Sequence, residues 1–303
     1  MNADLHVVTA IFNPWRYKSR VKLYNDFAKY VKDSGAVLHT IELAMGDRDF
    51  TVTSENNPNH IQVRTSVELW HKERMLNIAI QRLPRDWNYC AWIDADIQFA
   101  RPDWVHETVN LLQHYPVIQM FSESADLSPD YEVLKIFKGL AASYVKGDMP
   151  TANGKYESYH PGFAWAIRKD CYNNLGGLYD HSILGSADRF MGMSFINKGK
   201  LSYPGTLSNG YKESLELWNE RSMKYINCNL GYMPGLLLHN WHGKKINRRY
   251  KDRWQILVKQ VYDPEFDLKF DYQGLYQWTD RNPYLAYDVR DYFKARNEDS
   301  IDV

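Results

Sequence analysis

The chain has 303 residues, 37 of them basic and 37 acidic, and a formal net charge of zero. That balance excludes a protein-wide positive field for nucleic acid or anionic membrane and leaves only a local patch open. A hydrophobic content of 44% supports a sizeable core, and three cysteines, Cys90, Cys171 and Cys228, with no CxxC among them, argue against a disulfide scaffold.

Residues 5–12 read as a buried strand, broken by Asn13-Pro14. A basic amphipathic helix is predicted over about 17–32, and a second strand over 36–43. Residues 44–66 are polar and read as loop, with Asn56-Asn57-Pro58-Asn59 at its centre. A helix over 68–82 takes its apolar face from Leu69, Met75, Leu76, Ile78 and Ala79. The run Tyr89-Cys90-Ala91-Trp92-Ile93 is a strand that ends in Asp94-Ala95-Asp96. A helix at about 102–114 and a strand at 117–121 follow. Further on, a helix is expected over 131–146 and a loop over 147–155. Another helix starts near Lys169 and ends at Gly176-Gly177, and one more opens at Asp188. The charged tail, 290–303, is expected to fray or to pack late.

No apolar run approaches the 18 residues of a membrane span, and residues 1–10 lack the features of a secretory leader. A soluble, cytoplasmic protein is therefore expected. Strand–helix alternation in the first half predicts an α/β layer. With no linker between the halves, one domain over 1–250 is expected. Its donor half covers about 1–125 and its acceptor half about 126–250, with a C-terminal extension at 251–303. There is no Gly-x-Gly-x-x-Gly and no P-loop, so dinucleotide and P-loop readings are weak.

Four motifs carry chemistry. Asp94 and Asp96 place two carboxylates at the end of an apolar strand, where open α/β sheets bind ligands and where Mg²⁺ or Mn²⁺ finds oxygen donors. The alternative is a solvated strand end. Lys72-Glu73-Arg74-Met75-Leu76-Asn77 puts Lys72 and Arg74 near a helix start, which favours phosphate; an ordinary charged face would look alike. His160-Pro161-Gly162 through Arg168, then Gly176-Gly177 and Asp188, offers a close backbone approach and a carboxylate at a helix start. His239 and His242 follow an apolar run at i, i+3 and can complete a metal site. Lys244, Lys245, Arg248, Arg249, Lys251 and Arg253 form a local basic stretch behind them.

In this order the motifs resemble the GT-A glycosyltransferases, particularly inverting ones such as the broad family-two enzymes and the β-1,4-galactosyltransferases. The resemblance covers roughly residues 5–245. It implies a Rossmann-like nucleotide-sugar-binding fold with a mixed central sheet and a C-terminal helical extension. It also implies a metal-dependent transferase that uses a nucleotide-diphosphate sugar, a UDP-sugar in expectation. Donor contacts fall to Thr9, Asn13, Arg16, Glu42, Lys72, Asp94, Lys244 and Lys245. Mn²⁺ or Mg²⁺ falls to Asp96 and Asp94, with His239 or His242 closing the shell. Asp188 becomes the base that deprotonates the acceptor hydroxyl, which assigns inversion. Two departures stand out: Ala187 replaces the first acid of the usual acidic pair, and Leu184 stands near the place of the galactosyltransferase tryptophan. The acceptor, whether a glycan, a small molecule or a hydroxymethylated DNA base, is unread. A metal-dependent nucleotidyltransferase or phosphatase and an inactive sugar-binding module remain as rivals.

Overall fold

The computed structural model describes residues 5–148, 159–243, 247, 249, 252–296, 298 and 299. The first third runs β1 (Leu5–Phe12), α1 (Lys18–Asp33), β2 (Val37–Met45), β3 (His60–Thr65), α2 (Lys72–Gln81), β4 (Tyr89–Ile93), β5 (Ile97–Phe99) and α3 (Trp104–Leu112). The middle continues with β6 (Val117–Gln119), β7 (Glu123–Leu127), β8 (Val133–Gly139), α4 (Leu140–Val145), β9 (Tyr159–His160), β10 (Ala164–Arg168), α5 (Lys169–Leu175) and α6 (Ala187–Phe195). The last part holds α7 (Asn209–Tyr225), β11 (Leu230–Tyr232), β12 (Leu236–His239), α8 (Arg253–Lys259), α9 (Pro264–Asp267), β13 (Leu268–Phe270), β14 (Tyr276–Trp278) and α10 (Pro283–Lys294).

The fold is mixed α/β. Seven strands form a central sheet in the order β11-β6-β10-β4-β1-β2-β3. β1 pairs in parallel with β2 and β4, whereas β10 runs antiparallel to both β4 and β6. The two halves of the chain therefore share one sheet. A second sheet, β5-β12-β7-β8-β9, lies beyond the end of β4, and β13-β14 form a hairpin.

Period-two alternation sorts the strand residues into two cores. Val7, Ala91, Ile93 and Ala166 join one core with Phe27, Val31 and Trp104 from α1 and α3. Val8, Cys90, Trp92 and Trp165 join the other with Met75 and Ile78 from α2 and residues of α5, α6 and α7. Trp92 and Trp165 stand directly opposite each other across β4 and β10 and stack with ring centroids 6.5 Å apart. Helices on both faces bury all but Ala10 and Phe12 of β1 and Tyr89 of β4, so these strands read as largely apolar runs and were the most legible in the sequence.

Two expectations change. The polar stretch at 44–66 contains β3, where Ile61, Val63 and Thr65 are buried and alternate with half-buried His60, Gln62 and Arg64. The helix expected over 131–146 is instead β8 followed by α4. β8 leaves Val133, Leu134 and Ile136 exposed and is held by β7, a long-range pairing that periodicity does not register. Of the two readings of the tail, fraying or packing, its described residues show packing: Arg296 and Glu298 are buried, and Asp299 accepts hydrogen bonds from Lys18 N and Ser19 N at the start of α1, at 2.9 and 3.1 Å. Among the described residues no helix is long and apolar enough to cross a membrane.

The fold also carries a pH signature. His39 on β2 is buried, and its Nε2 lies 2.9 Å from His6 Nδ1 on β1. Burial, with His6 beside it, pushes His39 from its ordinary 6.5 down to about 4. A lowered folded value means that the unfolded chain takes up the proton first. Stability is then complete above pH 6.5 and is lost as pH falls toward 4. Denaturant titrations should show a loss on the order of 2 kcal/mol from this group between pH 8 and 5, and His39→Gln should flatten that slope.

Candidate active site

The site forms where β1 and β4 end. Thr9 Oγ1 donates to Ile93 O at 2.8 Å and ties the two strand ends together. Beyond them lies a cavity of about 590 Å³, lined by Asn13, Lys72, Asp94, Asp96, Asp188, His239 and His242 among others. That volume lies in the range of small-molecule sites.

At its floor Asp96 is 4% exposed. Its Oδ2 lies 3.1 Å from His242 Nε2, and its Oδ1 lies 4.0 Å from His239 Nε2. The two imidazole Nε2 atoms are 3.2 Å apart. Donor atoms about 2.1 Å from one ion stand about 3.0 to 3.4 Å apart on neighbouring coordination positions; the 3.1 and 3.2 Å separations fall in that range, the 4.0 Å one is wider, and the group could hold a divalent metal. Asp96 Oδ1 is buried and has no hydrogen-bond partner, an uncompensated acceptor that a cation would satisfy. His239 is oriented from behind. Asp126, its register neighbour on β7, accepts from Nδ1 at 2.8 Å. That bond fixes the proton on Nδ1 and leaves the Nε2 lone pair facing Asp96.

Asp94 takes a different place. Its backbone N–H donates to Phe163 O at 2.9 Å, and its carboxylate forms an ion pair with Lys72 at the start of α2. Burial and the nearby Asp96 push the Asp94 carboxyl up while Lys72 opposes the shift. Asp94 is not one of the three residues grouped around the metal position. Asp188 lies in the first turn of α6, after Ser186 in a left-handed conformation. Gly162 makes room for it, because a Cβ there would meet Asp188 Oδ2 at 2.4 Å. Next to Lys72, Glu73 is buried, and burial pushes it up to about 8.

The remaining donor residues are distributed unevenly. Asn13 lines the cavity and braces the turn after β1, donating to Tyr17 O at 2.8 Å and accepting from Tyr17 N at 2.9 Å. Thr9, Arg16 and Glu42 do not line it. Glu42 is spent on the loop after β2, accepting from the backbone and hydroxyl groups of Thr51 and Thr53 and from Val52 N. Arg74 does not line the cavity and pairs with Asp180 at 3.4 Å. Asn77 binds Leu178 and Asp180, and Gly177 stands close because a Cβ would come within 2.9 Å of Asn77 Oδ1. Lys244, Lys245, Arg248 and Lys251 lie outside the described residues. Arg253 turns inward, donating to Ser186 Oγ and to Tyr292 OH, so it does not belong to an outward basic surface.

The sequence did not point to Asp126, Arg20, Glu298, Glu73 or Trp70, all placed at or beside the cavity by the fold. Asp126 is visible only once β7 and β12 are known to pair.

No family model matches the chain, and no curated protein matches it. Among solved structures it is similar to Drosophila β-1,4-galactosyltransferase 7 in complex with manganese, UDP-Gal and xylobiose. There the identity is 14%, the TM-score 0.34, and the match covers 64% of this chain and 62% of that one. Mannosyl-3-phosphoglycerate synthase from Rubrobacter xylanophilus gives 9% identity and a TM-score of 0.40, covering 90% of this chain and 83% of that one. A 4-diphosphocytidyl-2C-methyl-D-erythritol synthase from Anaerococcus prevotii gives 9% and 0.36, covering 96% and 97%. At these scores the likeness discriminates nothing, and the functional reading rests on the site itself.

Direct metal titration checks the site. His239→Ala should lose Mn²⁺ binding in an electron paramagnetic resonance titration, and Asp126→Asn should weaken it about 10- to 100-fold by releasing the His239 ring.

Proposed function

We propose that the chain is a metal-dependent glycosyltransferase of the GT-A class. It takes a nucleotide-diphosphate sugar, in the first instance a UDP-sugar, and transfers the sugar to an acceptor hydroxyl with inversion. The observation that carries this reading is the group Asp96, His239 and His242, spaced for one ion, with the buried Asp96 Oδ1 uncompensated. It lines the same cavity as Lys72 and Asp188.

Two imidazoles and one carboxylate favour Mn²⁺ over Mg²⁺, which prefers an all-oxygen shell. Bound there, the ion supplies Lewis-acid neutralisation of a diphosphate leaving group. Lys72 adds a fixed positive charge at the start of α2 and orients Asp94, which is left to hold the ribose. The turn from Asn13 to Tyr17 forms the wall for the nucleoside. Its Trp15 lines the cavity and offers a flat face for a base.

Asp188 accepts the proton of the acceptor hydroxyl as the oxygen attacks the anomeric carbon. Gly162 lets its carboxylate lie against the His160–Phe163 segment. Glu73, protonated at neutral pH, adds no second negative charge beside it. The inward turn of Arg253 weakens the case for a DNA acceptor. A nucleotidyltransferase would use the same metal group but would release pyrophosphate, not a nucleoside diphosphate.

A panel of nucleotide sugars with Mn²⁺, followed by product analysis, tests the reading. A nucleoside diphosphate plus free or transferred sugar is expected; no nucleoside diphosphate from that panel, with pyrophosphate released instead from a nucleoside triphosphate and a sugar 1-phosphate, rejects it. Asp96→Ala should abolish both hydrolysis and transfer. Asp188→Asn should keep donor binding and lower the transfer rate by about 10²- to 10⁴-fold; an unchanged rate rejects Asp188 as the base. Gly162→Ala should displace the Asp188 carboxylate and cost about 10- to 100-fold in kcat, with donor affinity unchanged in calorimetry.

A further inference from the structure

One cationic side chain already reaches the proposed metal position. Arg20, on the first turn of α1, donates from Nη1 to Asp96 Oδ2 at 3.1 Å and from Nη2 to His242 Nδ1 at 3.0 Å. An arginine carries no acceptor, so His242 Nδ1 must present its lone pair. In the neutral ring the proton is then on Nε2, which faces Asp96 Oδ2 and the lone pair of His239. The donors and acceptors of this chain close on one another from Arg20 to Asp126. A metal at His242 Nε2 requires the opposite tautomer, with the proton on Nδ1. That proton would point at the N–H groups of Arg20, donor against donor.

The C-terminal segment holds Arg20 in this position. Glu298 is buried, and its Oε2 accepts from Arg20 Nε at 2.5 Å while its Oε1 meets Arg296 Nη2 at 2.8 Å. Arg296 in turn lies over the Trp70 ring, 5.0 Å from its centroid, and Trp70 stacks on Phe293 of α10. Asp299 accepts from the backbone N–H groups of Lys18 and Ser19 and from Ser19 Oγ. Tyr17, the residue before α1, gives no side-chain cap, so this cap comes from the far end of the sequence.

We propose that Arg20 is a latch on the metal site, clamped by Glu298 and Asp299, and that metal binding to His242 and withdrawal of Arg20 from it are one coupled step. This rests on the metal site of the proposed function, though not on its donor or acceptor. Arg296, Glu298 and Asp299 thereby become positioning residues that set metal affinity. Anything that pulls them away, such as a donor entering the cavity that Arg296 and Glu298 line, raises that affinity.

Two measurements on the full chain test this. In metal-free protein, ¹⁵N spectra should show His242 with its proton on Nε2. Adding diamagnetic Zn²⁺ should move the proton to Nδ1. A metal-free ring already protonated on Nδ1 overturns the latch. Mn²⁺ titrations should give Arg20→Met a Kd about 10- to 100-fold lower than wild type, since it removes a positive charge next to the ion. Glu298→Gln should shift the Kd in the same direction by a smaller factor. Unchanged or weaker binding in both variants, with wild type binding normally, overturns the latch alone. No Mn²⁺ binding in wild type or either variant overturns the metal site and the latch with it.

Discussion

A buried carboxylate has to be met by positive charge, and Asp96 sets that requirement for the whole site. Taking an ionised carboxylate out of water costs several kcal/mol unless partners replace its hydration. One of its oxygens is met by Arg20 and His242, and the other by no hydrogen-bond donor. Arg20 from the first turn of α1 and His242 from the turn after β12 answer this charge at Oδ2, whereas His239 at the end of β12 turns the Nε2 lone pair toward Oδ1 and supplies no donor there.

The sheet makes this convergence possible. Parallel pairing of β1, β2 and β4 sends their carboxyl ends to one edge, where the chain must leave the core and polar groups become affordable. The second sheet then returns β12 and β7 to the same edge, side by side and in register, so that Asp126 stands next to His239. Short-range order at the metal position therefore depends on a pairing between residues 113 positions apart. The antiparallel β10 carries Gly162 and Phe163 in front of it, which is how Asp188 comes to share the cavity.

The legible part of the sequence was the part with local causes. The apolar runs of β1 and β4 are buried on both faces, and their ends announce the site. Gly176 in the left-handed region stops α5 as its position after Leu175 suggests. The pair His239 and His242 follows an apolar strand and could be read as ligands, though a choice between them could not be made; both stand against Asp96. Illegible were β3 and β8, whose polar or exposed residues mask a strand that only its neighbours hold. Asn77 and Glu42 each sit among backbone groups that must be satisfied, a demand invisible before those loops are placed.

What the sequence determined by itself was the chemistry on offer: a strand ending in two aspartates, a lysine opening a helix, a carboxylate at another helix start, and two histidines after a strand. Each follows from period, propensity and residue type over a few positions. The tertiary structure decided how that chemistry is divided. It grouped Asp96 with the two histidines, paired Asp94 with the lysine, placed Asp126 behind His239, and brought Glu298 and Asp299 across the molecule to Arg20 and the start of α1. Those assignments depend on which distant groups share a buried charge, and burial is a property of the packed chain that no local pattern encodes.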